Sequence, residues 1–274
     1  MAEIADQILY RDEWIQAFER DQAMLRDAVT TEAMIKGRQA VFLVAGSGRE
    51  AVTRGANGLI PATADDLTQN TVTLNESHDL SQKTGFNIFA GQSDQRAIMQ
   101  AQGRNVINRS IDNKIIAALN TGTVAANTTA SPMTKQLVNK AKVLLGNANA
   151  MQPGKCYAAV TPAAWSQLED VPAFSSADYV MDRPQVDGYI GWRLWNGIKW
   201  CQHTGLTGLG TASATCLMWN QEAVGHAYDT KDVQALAGYE EEQDYSWART
   251  SIYDNALRLQ NTGIVKMLVN DTAI

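Results

Sequence analysis

The sequence predicts an α+β fold in which an extended, polar hairpin is mounted on a long helix. Three observations carry that prediction. Residues Gln39–Gly91 are polar and strand-like, and Gly46, Gly48, Gly55 and Gly58 punctuate them. Residues Ser93–Asn120 then run without proline, with Met99, Gly103, Ile107, Ile111, Ile115 and Leu119 spaced four apart as a ridge down one side. Beyond them, short strands and helices follow without the regular alternation that builds a parallel sheet. A hairpin on a rod has little to bury against within its own subunit, so its covering is expected to be another copy.

Taken in order, Arg11–Thr30 is helical by pattern, with Trp14, Phe18, Leu25 and Val29 near one face and Asp12, Glu13, Glu19, Arg20, Arg26 and Asp27 on the others. Ala40–Val44 is a short strand, Thr71–Leu74 a second and Gly85–Phe89 a third. This region has few large apolar residues, which marks an exposed hairpin and not a core. In the long helix Ser93 is the expected N-cap, with Asp94 at the positive end and Gly122 as the C-terminal cap. Gly103 interrupts the ridge at roughly 1 kcal/mol against alanine, which either a close backbone approach or simple tolerance explains. Thr121–Ser131 is a linker, and Pro132 opens a helix over Met133–Leu145 that Gly146 ends.

A strand at Cys156–Val160, a turn at Thr161-Pro162 and a helix over Ala163–Glu169 come next. Trp192, Trp195 and Trp200 fall between short strands whose turns are Gly188, Gly191 and Gly197. The loop Gly205–Gly210 precedes a strand at Thr215–Trp219 and a helix at Gln221–Tyr228. The tail reads as strands over Tyr245–Ile252, Ala256–Gln260 and Ile264–Val269, the last two joined across Asn261-Thr262-Gly263.

Composition narrows the function. With 45% hydrophobic and 19% charged residues the chain reads as soluble and globular, and no apolar run reaches the roughly 18–20 residues that span a bilayer. The start, Met1-Ala2-Glu3-Ile4-Ala5-Asp6, is acidic and lacks a basic n-region, so no secretory signal is expected. A net charge of −6 with no basic block argues against gripping nucleic acid, though not against enclosing it. Cys156, Cys201 and Cys216 are odd in number and lack C-x-x-C spacing, so reduced, partly buried thiols are expected and neither a disulfide framework nor a zinc site.

No catalytic, metal or cofactor site assembles. Gly46-x-Gly48-x-x-Ala51 after a strand matches a loose dinucleotide fingerprint, with Asp65 and Asp66 near the ribose-binding distance. Its helix could only run over Arg49–Arg54 before Gly55 and Gly58, too short for a βαβ crossover. His78, His203 and His226 are scattered, and Ser47 lacks the spacing of a nucleophile elbow. Glu240-Glu241-Glu242 with Asp244 is read as a solvated turn, and the tryptophans as core packing.

The order of elements resembles the major capsid proteins of tailed bacteriophages, with the Hong Kong 97-type capsid fold. In that resemblance residues 1–38 stand for the N-terminal arm and 39–91 for the E-loop hairpin and its flanks. Residues 92–149 stand for peripheral domain with the spine helix, 150–225 for the axial domain and 226–274 for the peripheral return strands. The motifs are Ser93-Asp94-Gln95-Arg96 through Ile111-Asp112-Asn113-Lys114-Ile115-Ile116 for the spine, and Lys155–Val160 with Thr161-Pro162-Ala163-Ala164-Trp165 for the step into the axial domain. Gly188-Tyr189-Ile190-Gly191-Trp192 with Trp195-Asn196-Gly197-Ile198-Lys199 is similar to its Gly-rich strand pair, and a Tyr253-Asp254-Asn255 turn to its closing sheet.

The resemblance implies a protein that is not an enzyme and needs no cofactor, forming pentamers and hexamers of an icosahedral shell around double-stranded DNA, without sequence-specific binding and without a membrane. Assembly would take place in the bacterial host cytoplasm, with a separate scaffolding protein, a portal and room for a cement protein. A cellular shell protein of the same fold that encloses cargo enzymes is the alternative, and an enzyme using Gly46 and Gly48 is the more distant one. The candidate assembly residues are Arg49, Arg54, Gly55, Asn57 and Gly58 of the hairpin, Trp14 and Phe18 of the arm, and Gly103 of the helix.

Two departures from the family pattern sharpen the expectation. Residues up to Gly37 are few for a built-in scaffolding extension, which is why a separate scaffold is expected. Some family members cross-link neighbours through an E-loop lysine, and this chain has none between Arg38 and Gln82. Mature shells should therefore give monomer-sized bands on denaturing gels; a ladder of multimers would overturn this.

Overall fold

The computed structural model describes residues 23–46, 50–54, 56–60, 66–90, 94–175, 191–229 and 231–273. Its elements in order are β1 (Thr30–Ile35), β2 (Gln39–Ala45), β3 (Leu67–Thr73), β4 (Asn75–Thr84), α1 (Gly85–Ala90), α2 (Gln95–Asn120) and α3 (Lys135–Asn147). Then come β5 (Cys156–Val160), α4 (Pro162–Glu169), α5 (Pro172–Ser175), β6 (Arg193–Trp195), β7 (Ile198–Gln202) and β8 (Ala214–Asn220). The chain closes with β9 (Val224–Asp229), β10 (Gln234–Glu240), β11 (Tyr245–Arg258) and β12 (Ile264–Val269).

The strands form three sheets. One runs β1-β9-β11-β10, with β4 also on β11; a second runs β12-β8-β5-β7-β6; and β2 and β3, among the described residues, pair only with each other. In the second sheet β5 reads Cys-Tyr-Ala-Ala-Val, and every residue is buried, because β7 and β8 flank both its edges and both faces are covered. The β6–β7 hairpin turns on Asn196 (φ 55°) and Gly197 (φ 78°), the two left-handed residues that a tight two-residue turn demands. Beside this sheet α4 starts at Pro162 with Thr161 as its cap, the hydroxyl accepting from the Ala164 amide at 3.2 Å. Of the tryptophans expected in the core, Trp195 and Trp200 are buried, whereas Trp192 is half-buried against Tyr157. Trp165, Phe174, Trp195 and Trp200 touch in a chain of ring contacts with centroids 5.1–5.6 Å apart.

Helix α2 has 26 residues, about 39 Å of rise. Its ridge is as expected, with Met99, Gly103, Ile107, Ile111, Ile115 and Leu119 all buried. From Ile107 onward the ridge enters a core shared with Tyr157, Leu217, Trp219, Ile252 and Ile264, which come from both five-stranded sheets. Gly103 answers a close approach: a Cβ there would lie 2.6 Å from Thr250 Oγ1 and 3.1 Å from Asp79 Oδ2.

The structure corrects several readings of the sequence. The cap of α2 is Asp94, whose carboxylate accepts from the Arg96 and Ala97 amides at 3.2 Å, while Ser93 lies outside the described residues. Gly122 adopts no left-handed conformation; it is small because Ile264 Cγ2 would sit 2.9 Å from a Cβ. Helix α3 runs through Gly146 to Asn147. The expected strand at Gly85–Phe89 is α1, since the Thr84 hydroxyl accepts from the Asn87 amide and caps a helical turn. The helix expected to reach Thr30 gives way to a 3-10 turn at Arg26–Ala28 and then to β1; its part before residue 23 lies outside the described residues.

Gln221–Tyr228 is a 3-10 turn followed by β9, because that backbone is claimed by β1 on one edge and β11 on the other. The strand β10 has no counterpart in the sequence reading. Tyr253-Asp254-Asn255 is not a turn but the interior of β11, a single strand of 14 residues. The side chains that signal a turn are engaged elsewhere: Asp254 meets Lys114 and His226, and the Asn255 amide donates to the Thr73 carbonyl at 2.8 Å. The tail therefore divides, with β11 in the first sheet and β12 in the second, pairing β8 instead of β11.

Replacing Gly103 by alanine tests the packing. Helix propensity favours alanine by about 1 kcal/mol, whereas forcing a methyl into a filled contact costs about 1–3 kcal/mol. The strain should win, and urea unfolding should show a net loss on the order of 1 kcal/mol. Thr250→Ala in the same chain should recover most of it, because it removes the Oγ1 that the new methyl meets.

Candidate assembly interface

The hairpin stays in register over its whole paired length, from Gln39↔Thr73 to Ala45↔Leu67. Its alternation is that of a ribbon with one covered face. Ala40, Phe42 and Val72 are buried against Ala227 at its root, whereas Leu43 is 68% and Leu67 55% exposed. Further out, Leu59 is 95% and Ile60 70% exposed, with no covering among the described residues. At the tip the Arg54 guanidinium donates to the Gly58 carbonyl at 2.7 Å around the turn that contains Asn57. These three expected residues therefore lie together on one loop. Arg49, Gly55, Trp14 and Phe18 lie outside the described residues. Gly103 is buried within the subunit and presents no surface.

Gly46 serves the hairpin and not a phosphate. Its amide donates to the Asp66 carbonyl at 2.5 Å, and a Cβ would collide with the Asp66 carboxylate. Residues 50–54 form no helix, so the strand–turn–helix context of a dinucleotide site is missing there.

Phe42 seats the root on the body. Its ring lies on Gly225 of β9, where a Cβ would come within 2.8 Å of Cζ. From the root the chain passes through Leu74, whose amide donates to the Arg38 carbonyl at 2.8 Å, into β4. Strand β4 reads Asn-Glu-Ser-His-Asp-Leu-Ser-Gln-Lys-Thr and has no buried side chain. It is held by its ladder to β11 and by polar contacts, among them His78 Nδ1 with Ser251 Oγ at 2.9 Å.

Two buried carboxylates on this side of the molecule went unnoticed in the sequence. Asp112 of α2 accepts from the Met24 and Leu25 amides at 3.3 and 3.1 Å and meets His203 Nε2 at 3.1 Å, tying the first described residues to the helix and to the end of β7. Asp254 of β11 meets Lys114 Nζ at 2.5 Å and His226 Nε2 at 3.2 Å, with its side chain fully buried. Burial alone would push the Asp254 carboxyl up, but the hydrogen bonds from His226 and Lys114 and the Lys114 charge outweigh it and hold it below its ordinary value. Three histidines scattered in sequence thus find partners through the tertiary fold: His78 on a strand edge, and His203 and His226 beside carboxylates.

All three cysteines are free and buried. Burial pushes the Cys216 thiol up to about 12 and raises Cys201 as well, so neither offers a thiolate for catalysis or cross-linking. Among the described residues no group of His, Cys, Asp and Glu could hold a metal, and no helix is long and apolar enough to cross a membrane. The geometry is that of a body carrying a hairpin that exposes Leu43, Leu59, Ile60 and Leu67.

The model of one family, described as "Phage capsid protein", matches residues 3–271. The chain belongs to the phage capsid protein family. Solved structures agree on the fold. A structure of Mycobacterium phage Che8 matches with a TM-score of 0.75 at 16% identity, over 100% of both chains. The capsid of Cyanophage P-SCSP1u matches at 0.75 and 13%, over 97% of this chain and 93% of that one. The capsid of Ralstonia phage GP4 matches at 0.72 and 9%, over 97% and 96%. No curated protein matches the chain. The family makes this a structural, major capsid protein, and the dinucleotide reading of Gly46 and Gly48 falls away.

The Asp254 pairing sets a pH dependence for this capsid protein. Because the folded carboxyl is held below its ordinary value, its stabilising contribution is fully present above that ordinary value and is lost as the pH falls through the lower folded one. Asp254→Asn should lower the unfolding midpoint at pH 7, and the gap to the natural protein should narrow below pH 4 in denaturant titrations. A pH-independent gap would refute the linkage.

Proposed function

We propose that this chain builds an icosahedral shell of pentamers and hexamers around double-stranded DNA, by laying its hairpin across a neighbouring copy. What carries this reading is the exposure of Leu43, Leu59, Ile60 and Leu67 on a ribbon of a capsid-family protein. Covering such side chains contributes about 25 cal/mol per Å² of apolar surface. Repetition over a closed assembly makes individually small contacts persistent.

In this proposal residues 1–38 are the arm, 39–91 the E-loop and its flanks, 92–149 and 226–274 the peripheral domain, and 150–225 the axial domain. Arg49, Arg54, Gly55, Asn57 and Gly58 meet the neighbour from the hairpin tip, and Trp14 and Phe18 from the arm. Gly103 contributes indirectly, by letting α2 sit close on β11. A separate scaffolding protein, a portal and a cement protein are the further partners, assembly takes place in the host cytoplasm, and DNA is enclosed without sequence-specific contacts. The net charge of −6 supports a wall that does not grip its contents.

Negative-stain microscopy of the purified protein should show shells or rings of five and six. Particles filled with protein in place of nucleic acid would favour the cellular-compartment alternative, and a strictly monomeric protein would overturn the proposal. Leu59→Asp with Ile60→Asp should abolish assembly while leaving the monomer's thermal midpoint unchanged within error, since neither side chain is buried in the subunit.

A further inference from the structure

Strand β11 changes partners at a single residue. Asp254 is opposite Asn75 of β4 in one ladder and opposite Tyr228 of β9 in the other. The sheet forks there, with the hairpin-bearing strand leaving on one limb and β9 on the other. A cleft of about 590 Å³ opens at the fork, lined by Arg38, Asn75, Glu76, Asp229 and Tyr253 among others. The first residues of β4 therefore have room to move.

What spans the fork is a closed polar cluster. Lys114 Nζ donates to Ser77 Oγ of β4 at 2.8 Å, to the Asp254 carbonyl at 3.1 Å and to Asp254 Oδ1 at 2.5 Å. These are the three donors an ammonium has, so all of them are engaged. The other carboxylate oxygen faces His226 Nε2 on β9, and His226 Nδ1 is buried without a partner. That arrangement selects the tautomer with its hydrogen on Nε2, donating to Asp254. One carboxylate thus links α2, β9 and β11, and its lysine adds β4.

We propose that Lys114, Asp254 and His226 form a latch that holds β4, and with it the hairpin, at a fixed angle to the body, with Phe42 seated on Gly225 as the pivot. Apolar packing cannot do this at β4, which buries no side chain. The ion pair fixes Lys114 between α2 and β11, and its remaining donor reaches Ser77, so any other placement of β4 leaves one ammonium hydrogen without an acceptor. The pivot is apolar and tolerates rotation; the latch does not. If the shell reading holds, on which this part rests, the latch fixes the direction in which each copy offers its hairpin to the next.

Hydrogen exchange on the unassembled full chain tests the latch. Ser77→Ala removes only the link from Lys114 to β4, a change too small to unfold the protein. It should speed exchange of amides 75–84 on the order of tenfold, while amides 156–160 and 214–220 of the second sheet stay unchanged. Lys114→Met should do at least as much, and the double variant no more than Lys114→Met alone. Unchanged exchange in β4, or an equal rise in both sheets, would overturn the latch. Microscopy supplies the second arm: Ser77→Ala shells should be heterogeneous in diameter where the natural protein's are uniform. Uniform variant shells would overturn the role in assembly. If the natural protein forms no shell, the capsid proposal fails, while the exchange result still decides the latch.

Discussion

The rest of the molecule depends on the burial of the C-terminal half of α2 between two sheets. Ile107, Ile111, Ile115 and Leu119 contact a core to which β5, β7, β8, β9, β11 and β12 all contribute. Both sheets are organised around that ridge, and fully burying each such aliphatic side chain is worth about 1.5–3 kcal/mol. The N-terminal half of the same helix is held differently. There Gly103 lets the backbone approach Thr250, Arg96 reaches Ser246 Oγ at 3.1 Å, and Lys83 bonds Gln95. One helix thus has an apolar anchor at one end and a polar seat at the other.

This asymmetry explains where the exposed ribbon can be placed. A capsid protein needs a rigid body and a surface that stays uncovered until a neighbour arrives. The rigid body is the shared core together with the aromatic chain of Trp165, Phe174, Trp195 and Trp200. The exposed ribbon is β2 and β3, which among the described residues pair only with each other and meet the body at the small cluster around Phe42 and at the Asn255–Thr73 hydrogen bond. Placing that ribbon on a polar, thinly packed strand separates its orientation from the stability of the core.

Buried polar groups mark the joints between these parts. Asp112 with His203, and Asp254 with His226 and Lys114, sit where chain segments distant in sequence meet. Such pairs are poor sources of stability, because desolvation offsets most of their attraction. They are effective at fixing one geometry among several. Thr161 and Asp271 follow the same pattern at 2.7 Å, binding the last residues to the start of α4, with the Asp271 carboxylate also accepting from the Gly210 amide.

The sequence by itself determined the local and periodic features. These are the ridge of α2, the strand at Cys156–Val160, the Thr161-Pro162 start of α4, the Asn196-Gly197 turn and the sparse, glycine-broken hairpin. Each follows from contacts within a few residues or from a repeat that exposes one face. The tertiary structure alone decided that Tyr253-Asp254-Asn255 continues a strand, that Gln221–Tyr228 is mostly extended, and that Gly103 and Gly122 are small to admit a neighbour. In each case a distant partner outbids the local preference: Lys114 and His226 take the Asp254 carboxylate, β1 and β11 take the β9 backbone, and Thr250 and Ile264 fill the space beside the glycines. Local propensity is worth tenths of a kcal/mol to about one per residue. A buried ion pair or a full ladder of hydrogen bonds outweighs it, and such partners cannot be read from neighbours in the chain.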